Sequence, residues 1–306
     1  MTGPRELLSI LIASLGRPSL LRTLASIEAA TLPDALDLEI VIADDSKTGD
    51  VAKLLSTYKT GLVIRVVPVG AGNVAIARNA TVEAAHGDWL LLVDDDEWVD
   101  RDWLVQHLAA AREFGADAVF GPVYPVYPDS TPAWFRQADP MFHDLGWADR
   151  GRRVVHGQSG NTLIRAASIR ERGLSFDPAY GRTGGEDDDF FRRMAAAGAT
   201  LVVTDRAKAW EDVPLERATA GYTLGRMART GGLYARNVLR GAGLSRRIGF
   251  AIDAAAKLAI AAIATAVLRP VDRTRSFRMR MKLSSNIGKL QGLFGLQPGN
   301  AWKLGG

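Results

Sequence analysis

"GDWLLLVDDDEW", residues 87–98, joins two things that folding ordinarily keeps apart. Leu90 to Val93 is an unbroken apolar run, the pattern of a strand buried on both faces. Asp94, Asp95, Asp96 and Glu97 follow at once. Four adjacent carboxylates repel one another unless a cation sits among them. A buried strand that runs into acid suits an open α/β sheet, in which ligands bind beyond the carboxyl ends of the strands.

The flanking sequence supports that sheet. "LLSILIASL" (7–15) reads as a first strand and "SLLRTLASIEAA" (19–30) as a helix started by Pro18. "LEIVIADDS" (38–46) is a second strand ending in Asp44 and Asp45. A helix over 51–58, a strand over 62–69, a helix over 73–87, the strand 88–97 and a helix over 102–115 complete the alternation. The expected fold class is therefore α/β, a mostly parallel doubly wound sheet with both acid clusters at one edge. Residues 116–160 are less regular and carry five prolines, the pattern of loops that shape a substrate site. Strand and helix follow over 160–173, a Gly loop and acid-capped helix over 181–198, a strand pair over 199–211, and helices from about 214.

The chain has 306 residues, 47% of them hydrophobic, enough for a true core and too many for disorder. It has no cysteine, which removes disulfides and thiolate metal sites and suits a reducing cytosol. Its first apolar run is too short for a signal peptide and reads as a strand. The net charge of +4 hides an asymmetry. Residues 1–239 hold 26 Lys and Arg against 32 Asp and Glu, whereas residues 240–306 hold 12 against 2. A basic tail on an acidic body meets something anionic, and with no nucleic-acid recognition motif beside it the expected partner is a membrane surface.

Three stretches carry chemistry. Asp94-x-Asp96 supplies hard oxygen ligands for Mg²⁺ or Mn²⁺, ions that take one or two protein carboxylates and complete their shell with phosphate and water. "VGAGNVA" (69–75), with Asp94 beyond it, matches a dinucleotide-binding fingerprint and opens an oxidoreductase alternative. That fingerprint wants one acid rather than a cluster, and it opens a domain's first βα unit, whereas two strands precede it here. "GGEDDDFFRRM" (184–194) places Glu186, Asp187, Asp188 and Asp189 in a first helical turn. The macrodipole explains one or two acids there, not four. One of them can serve as general base for a hydroxyl nucleophile. A nucleotidyltransferase is the other alternative, but "ASLGRPS" (13–19) lacks its Gly-rich triphosphate loop.

The ordered set "ADDS" (43–46), "GNVAIARN" (72–79), "VDDDEW" (93–98), "GNTLIRAAS" (160–168), "FDPAYGRTGGEDDDFFRRM" (176–194) and "AWEDVPLER" (209–217) resembles family-2 inverting glycosyltransferases of the GT-A fold. The resemblance is closest to the bacterial branch that builds exopolysaccharides such as succinoglycan, and it covers about residues 7–235. It implies a nucleotide-sugar donor, a UDP-sugar first among them, and a saccharide or lipid-linked saccharide acceptor. It implies that Ala13, Ser14 and Arg17 line the base and ribose, and that Asp44, with Asp45 as second choice, accepts from the nucleobase. Asn73, Arg78 and Asn79 would support the diphosphate, Asp94 and Asp95 the ribose or metal shell, and Asp96 the metal. Glu211 would stand as a further metal-side residue, and Gly160 and Asn161 near donor sugar or acceptor. Asp187 would be the catalytic base with Asp188 as its rival and Glu186 beside them.

The expected division is a catalytic domain over 1–215 and a helical, basic, membrane-associating extension over 216–306. "RRIGFAIDAAAKLAIAAIATAVLRP" (246–270) is apolar apart from Asp253 and Lys257. Each charge would cost roughly 2.5–3.5 kcal/mol at a bilayer centre, so packing on the domain or lying at the interface is favoured over spanning. The expected location is the cytoplasmic face of a bacterial inner membrane. The four histidines show no ligand spacing and read as structural. Trp134, Phe135, Phe142 and Trp147 read either as core or as sugar-stacking rings.

Overall fold

The computed structural model describes residues 5–33, 36–181 and 184–296. Arg182 and Thr183, inside the expected Gly loop before the second acid run, lie outside these residues. The elements are β1 (Glu6–Ser14), α1 (Ser19–Glu28), β2 (Leu36–Asp44), α2 (Asp50–Leu55), β3 (Ile64–Pro68), α3 (Val74–Ala84) and β4 (Trp89–Leu92). Then come β5 (Glu97–Val99), α4 (Trp103–Phe114), β6 (Ala118–Phe120), β7 (Val123–Val126), α5 (Ala133–Ala138), β8 (Thr162–Arg165) and α6 (Ala166–Glu171). The chain continues through α7 (Glu186–Ala196), β9 (Leu201–Val203), β10 (Ala209–Asp212), α8 (Ala220–Val238), α9 (Leu244–Leu268) and α10 (Arg273–Leu293).

Seven strands form one sheet in the order β3-β2-β1-β4-β8-β6-β9. β3, β2, β1 and β4 are parallel neighbours, β8 runs antiparallel between β4 and β6, and β6 is parallel to β9. This is the mostly parallel α/β sheet expected. The apolar runs read as two-sided strands are buried throughout β4 and over Leu8, Ile10, Leu11 and Ile12 of β1. Trp103, Leu104 and Leu108 of α4 join the same core. α4 ends where Gly115 takes the left-handed conformation, φ 57°.

The expected strand over 88–97 breaks in two. β4 stops at Leu92, the aspartates occupy a turn, and β5 begins at Glu97 and pairs antiparallel with β10. The reason is electrostatic and steric together. A turn lets adjacent carboxylates diverge, which a continuous strand inside a core does not.

The chain divides into two units, Met1–Tyr124 with His143–Glu211, and Pro125–Phe142 with Asp212–Gly306. The second unit thus starts at 212 rather than the expected 216 and also takes in 125–142, part of the segment read as substrate loops. In it Trp134 and Phe135 meet Phe277 of α10 at ring distances of 5.2 and 5.5 Å. Phe135 is 1% exposed. Of the two readings offered for that ring, core packing is the one observed, and buried Trp147 behaves likewise in the first unit. α8 and α10 touch backbone to backbone. A Cβ on Gly231 would lie 2.0 Å from the Ser285 carbonyl oxygen, and one on Gly288 would lie 1.7 Å from that of Ala228.

Candidate active site

The sheet gathers the first set of acids. Parallel register places Ser14 opposite Asp44, so β1 and β2 end together, and Leu11 opposite Leu92, so β4 stops three residues earlier at the same edge. Beyond those ends Ser14 Oγ donates to Asp95 Oδ2 at 2.6 Å. Arg17 Nη1 lies 3.4 Å from Asp96 Oδ2 and 3.5 Å from Asp95 Oδ1. Burial raises the Asp95 pKa, opposed by the Ser14 bond and Arg17. Asp94 and Asp96 keep about half and a third of their side-chain surface exposed, at 45% and 33%. Ala13 stands at the same strand end and keeps part of its surface accessible.

Asp44 and Asp45 are spent on backbone N–H groups of the loops after β2 and β3. Asp44 accepts from the Ser46 N–H and Oγ–H and from the Val51 N–H. Asp45 accepts from the N–H groups of Ala71, Gly72 and Asn73 at 2.7, 2.9 and 2.8 Å. Both carboxylates are nearly inaccessible. They shape the rim of the crevice, and the nucleobase contact expected of them has no open carboxylate face. The same bonds dispose of the dinucleotide alternative. The N–H groups of Ala71, Gly72 and Asn73 that would cradle a pyrophosphate already hold the Asp45 carboxylate.

α3 acts as a frame. Asn73 caps it, accepting from Ala75 and Ile76, while its Nδ2 donates to the Pro178 carbonyl at 3.0 Å. Asn79 exchanges two 2.8 Å bonds with the backbone of Phe176. Gly181 fits only because it lacks a side chain, since a Cβ there would lie 1.7 Å from Asn73 Oδ1. These asparagines, expected at the diphosphate, instead hold the 176–181 segment that leads into α7. Arg78 projects from the same helix to both acid runs. Its Nη1 donates to Glu186 Oε1 at 2.5 Å and its Nη2 to Asp94 Oδ1 at 3.1 Å.

On α7 the four acids separate. Glu186 is buried against Arg78, and its Oε2 has no hydrogen-bond partner among the described residues. Asp188 accepts from Arg192 Nε at 2.8 Å and stands 3.7 Å from His156 Nδ1. Asp189 accepts from Arg193 Nε at 2.8 Å. Asp187 keeps part of its surface accessible. Crowding by protein, and after it the charge of Glu186, raises its pKa to about 7, against the pull of Arg78. A carboxyl that titrates near neutrality is suited to proton transfer. His156, read with the other histidines as structural, stands beside this acid run, a placement that no local pattern signals because the helix begins some thirty residues on.

Two further placements differ from expectation. Asn161 is fully buried. Its Oδ1 accepts from Trp103 Nε1 at 2.5 Å and lies 2.8 Å from His107 Nε2. Its Nδ2 donates to the carbonyls of Pro122 and Ala207. Every hydrogen-bonding position is filled, so it pins the sheet and does not face a ligand. His107, packed against it, is kept neutral by burial with a pKa of about 4, as a structural histidine should be. Glu97 is the acid that the sequence reading left without a role. It is 3% exposed and sits opposite Glu211 in the β5–β10 pair. Burial, then Asp94, then Glu211 raise its pKa well above the ordinary range.

Among the described residues no three Asp, Glu or His side chains converge as a self-sufficient metal cage. Asp94 and Asp96 are hard oxygen donors open to solvent, while Glu211 does not join them in a three-carboxylate group. Such a pair fits a divalent cation shared with a phosphate-bearing ligand, the mode Mg²⁺ prefers.

Comparison with known proteins agrees with this geometry. Residues 9–173 match the family model described as Glycosyl transferase family 2. The succinoglycan biosynthesis protein ExoM of Rhizobium meliloti (strain 1021) is 33% identical over 286 residues, 92% of this chain and 91% of that protein. A poly(ribitol-phosphate) beta-glucosyltransferase of Bacillus spizizenii is 24% identical over 157 residues, half of this chain but only 24% of its own length. Among solved structures, S. aureus TarS 1–349 in complex with UDP-GlcNAc superposes with a TM-score of 0.56 at 17% identity, covering 95% of this chain and 92% of that one.

Proposed function

The chain belongs to glycosyl transferase family 2, and from that premise we propose that it transfers a sugar, with inversion, from a UDP-sugar to a hydroxyl of a saccharide or lipid-linked saccharide in bacterial polysaccharide synthesis. That it is a glycosyltransferase with the GT-A fold follows from the family and the superposition. The donor class, the chemistry below and a site of action at the cytoplasmic face of the inner membrane are the proposal.

The observation that carries it is the reach of Arg78. One guanidinium joins Asp94, at the end of the strand edge, to Glu186, the residue beside Asp187. The diphosphate end of a donor and the base for an acceptor are thereby held in one frame. Asp187 takes the proton of the acceptor hydroxyl while that oxygen bonds to the anomeric carbon from the face opposite the diphosphate. The bond to the diphosphate oxygen breaks in the same displacement, and the leaving group departs as UDP. Arg17 and Arg78 supply fixed positive charge near the leaving group. Asp188, already bonded to Arg192, orients the first turn of α7 and leaves the proton to Asp187. Asp96 and Asp94, with Glu211 beyond them, would hold Mg²⁺ or Mn²⁺, and the bound ion would neutralise charge on the diphosphate.

The test is thermal shift with UDP, GDP and NAD, each with and without Mn²⁺, repeated on Asp96→Ala, together with release of UDP from UDP-sugars. A UDP shift that needs Mn²⁺ and is lost in the variant supports the reading. A metal-independent NAD shift that survives the substitution overturns it.

A further inference from the structure

From Ile248 on, α9 is apolar apart from Asp253 and Lys257, yet only one side of it is covered. Ala251, Ala254, Leu258, Ala261, Thr265 and Leu268 recur at alternating spacings of three and four, the seam of a packed helix. Ala254 and Ala261 of that seam are buried. Ser276 Oγ of α10 donates to the Thr265 carbonyl, and Lys289 near the end of α10 feels the charges of Asp253 and Lys257. α10 therefore runs back along this seam. Opposite lies a second stripe, Ile248, Ile252, Ala256, Ile260, Ile263 and Val267. Its five large residues are 51–67% exposed. By helix rise it is about 29 Å long. Asp253 and Lys257 do not interrupt it. At 100° per residue they fall on the flank between the two stripes, where they pair at 2.8 Å.

A helix this long and apolar has the length and composition to cross a bilayer, and 11% of its most apolar window is buried. Its partner forbids that placement. Arg273 to Lys282 of α10 hold five cations in ten residues. The Ser276 contact sets them alongside the last turns of α9. If α9 spanned, these cations would be carried to hydrocarbon depth, where charge is expelled. If α9 lies flat, the stripe enters the lipid while α10 stays on the watery side. Cations then frame the stripe, with Arg246 and Arg247 before it and Arg269 after it. Apolar area flanked by Lys and Arg is the composition that an anionic lipid surface holds.

We infer that α9 is an in-plane membrane anchor, docked by its Ile248–Val267 stripe on a bilayer rich in anionic lipid and kept from spanning by α10. The inference rests on the proposed placement at a membrane but on none of the transfer chemistry. Its partner is identified by charge. With 12 cationic residues against 2 acidic ones over 240–306, an anionic surface is the complement.

The chain has no cysteine, so a single introduced thiol reports its own depth. The full-length protein, as Ile252→Cys, Ile260→Cys, Val267→Cys and Lys282→Cys carrying an environment-sensitive fluorophore, is mixed with phosphatidylcholine vesicles with and without phosphatidylglycerol. Lipid-borne quenchers then read each depth. The expected result is binding that needs phosphatidylglycerol, one common shallow depth for the three stripe labels, and an aqueous label at 282. Ile252→Glu with Ile263→Glu, both at exposed positions, should weaken vesicle binding about tenfold or more with the melting temperature unchanged. A deep label at 260 between shallow ones at 252 and 267 would mean a spanning helix and overturn the inference. So would unaltered binding by the double glutamate variant, or no vesicle binding with a dimer that the same variant dissolves. UDP release accompanying sugar transfer to a soluble acceptor, measured in parallel, separates any of these from failure of the transferase reading.

Discussion

The two acid runs, Asp94–Glu97 and Glu186–Asp189, look alike as sequence and are used in opposite ways. The first follows a strand and turns a corner, so its members divide between outside and inside. Asp94 and Asp96 face the solvent side against Arg78 and Arg17, while Asp95 and Glu97 are buried beneath them. The second opens a helix, so its members fan out about the axis by 100° each. Three of those four have a strong basic partner, Glu186 with Arg78, Asp188 with Arg192 and Asp189 with Arg193. Among the described residues Asp187 has no such direct partner of its own, and it titrates near neutrality. Equal charge density yields an oxygen-lined rim in one case and one carboxyl that titrates near neutrality in the other, because the backbone period decides which oxygens stay available.

The sharpest way to break this contrast is Asp187→Asn. Loss of a general base should lower kcat by roughly 10²–10⁴ with UDP affinity unchanged, while Asp188→Asn should cost far less. Steady-state kinetics beside UDP titration would check it, and equal losses in both variants would mean that the fan does not single out one acid.

Next comes the residue the two runs share. Arg78→Leu leaves Glu186 buried without its cation, and breaking such a pair costs about 3–5 kcal/mol. Urea unfolding should register that loss, and adding Glu186→Gln should restore a good part of it. If Glu186→Gln restores nothing, the ion pair is not what Arg78 contributes.

The pH dependence sharpens the second run alone. Asp187 must be ionised to accept a proton, so log kcat/KM should climb with unit slope and level off above about pH 7. Asp188→Asn removes a neighbouring negative charge and should move that midpoint downward. A flat profile between pH 5 and 8 would remove Asp187 from the role.

The smallest effect belongs to the first run. Burial raises the Glu97 pKa above its ordinary value of 4.5, so between the two values the folded chain keeps a proton that the unfolded chain releases. Glu97 thus favours folding below the ordinary value and progressively less as pH rises through its raised folded pKa. Glu97→Gln mimics the protonated acid, so in the presence of chelator it should melt slightly higher than the parent at pH 7 and match it near pH 4.5. A variant that melts lower at both pH values would show that the carboxylate, not the acid, is the native form.

Much of the site was legible because two of its signals are local. An apolar run that stops in acid marks the carboxyl edge of a sheet, and four acids after a glycine pair mark a helix start. The asparagines were the opposite case. Asn73, Asn79 and Asn161 lie in motifs that point to ligands, yet their amides bind Pro178, Phe176 and the Pro122 and Ala207 carbonyls. An amide is equally good at recognising a ligand and at fastening a distant strand. Only the partner tells the two apart, and that partner is 39 to 105 residues away. Glu97 was hidden for a related reason, since its burial depends on where β10 returns.

Residue order alone determined the strand and helix periods, the parallel sheet and its acid edge, the family, and the basic, apolar tail. Each of these depends on neighbours within a turn or two, or on motifs kept in order. Tertiary structure decided which acid keeps a proton near neutrality, which asparagines are spent on the chain, that Arg78 spans both acid runs, and which side of α9 is left uncovered. Those outcomes depend on desolvation and on pairing between segments far apart in sequence, and the free energy of a charge or an amide is set by what finally surrounds it.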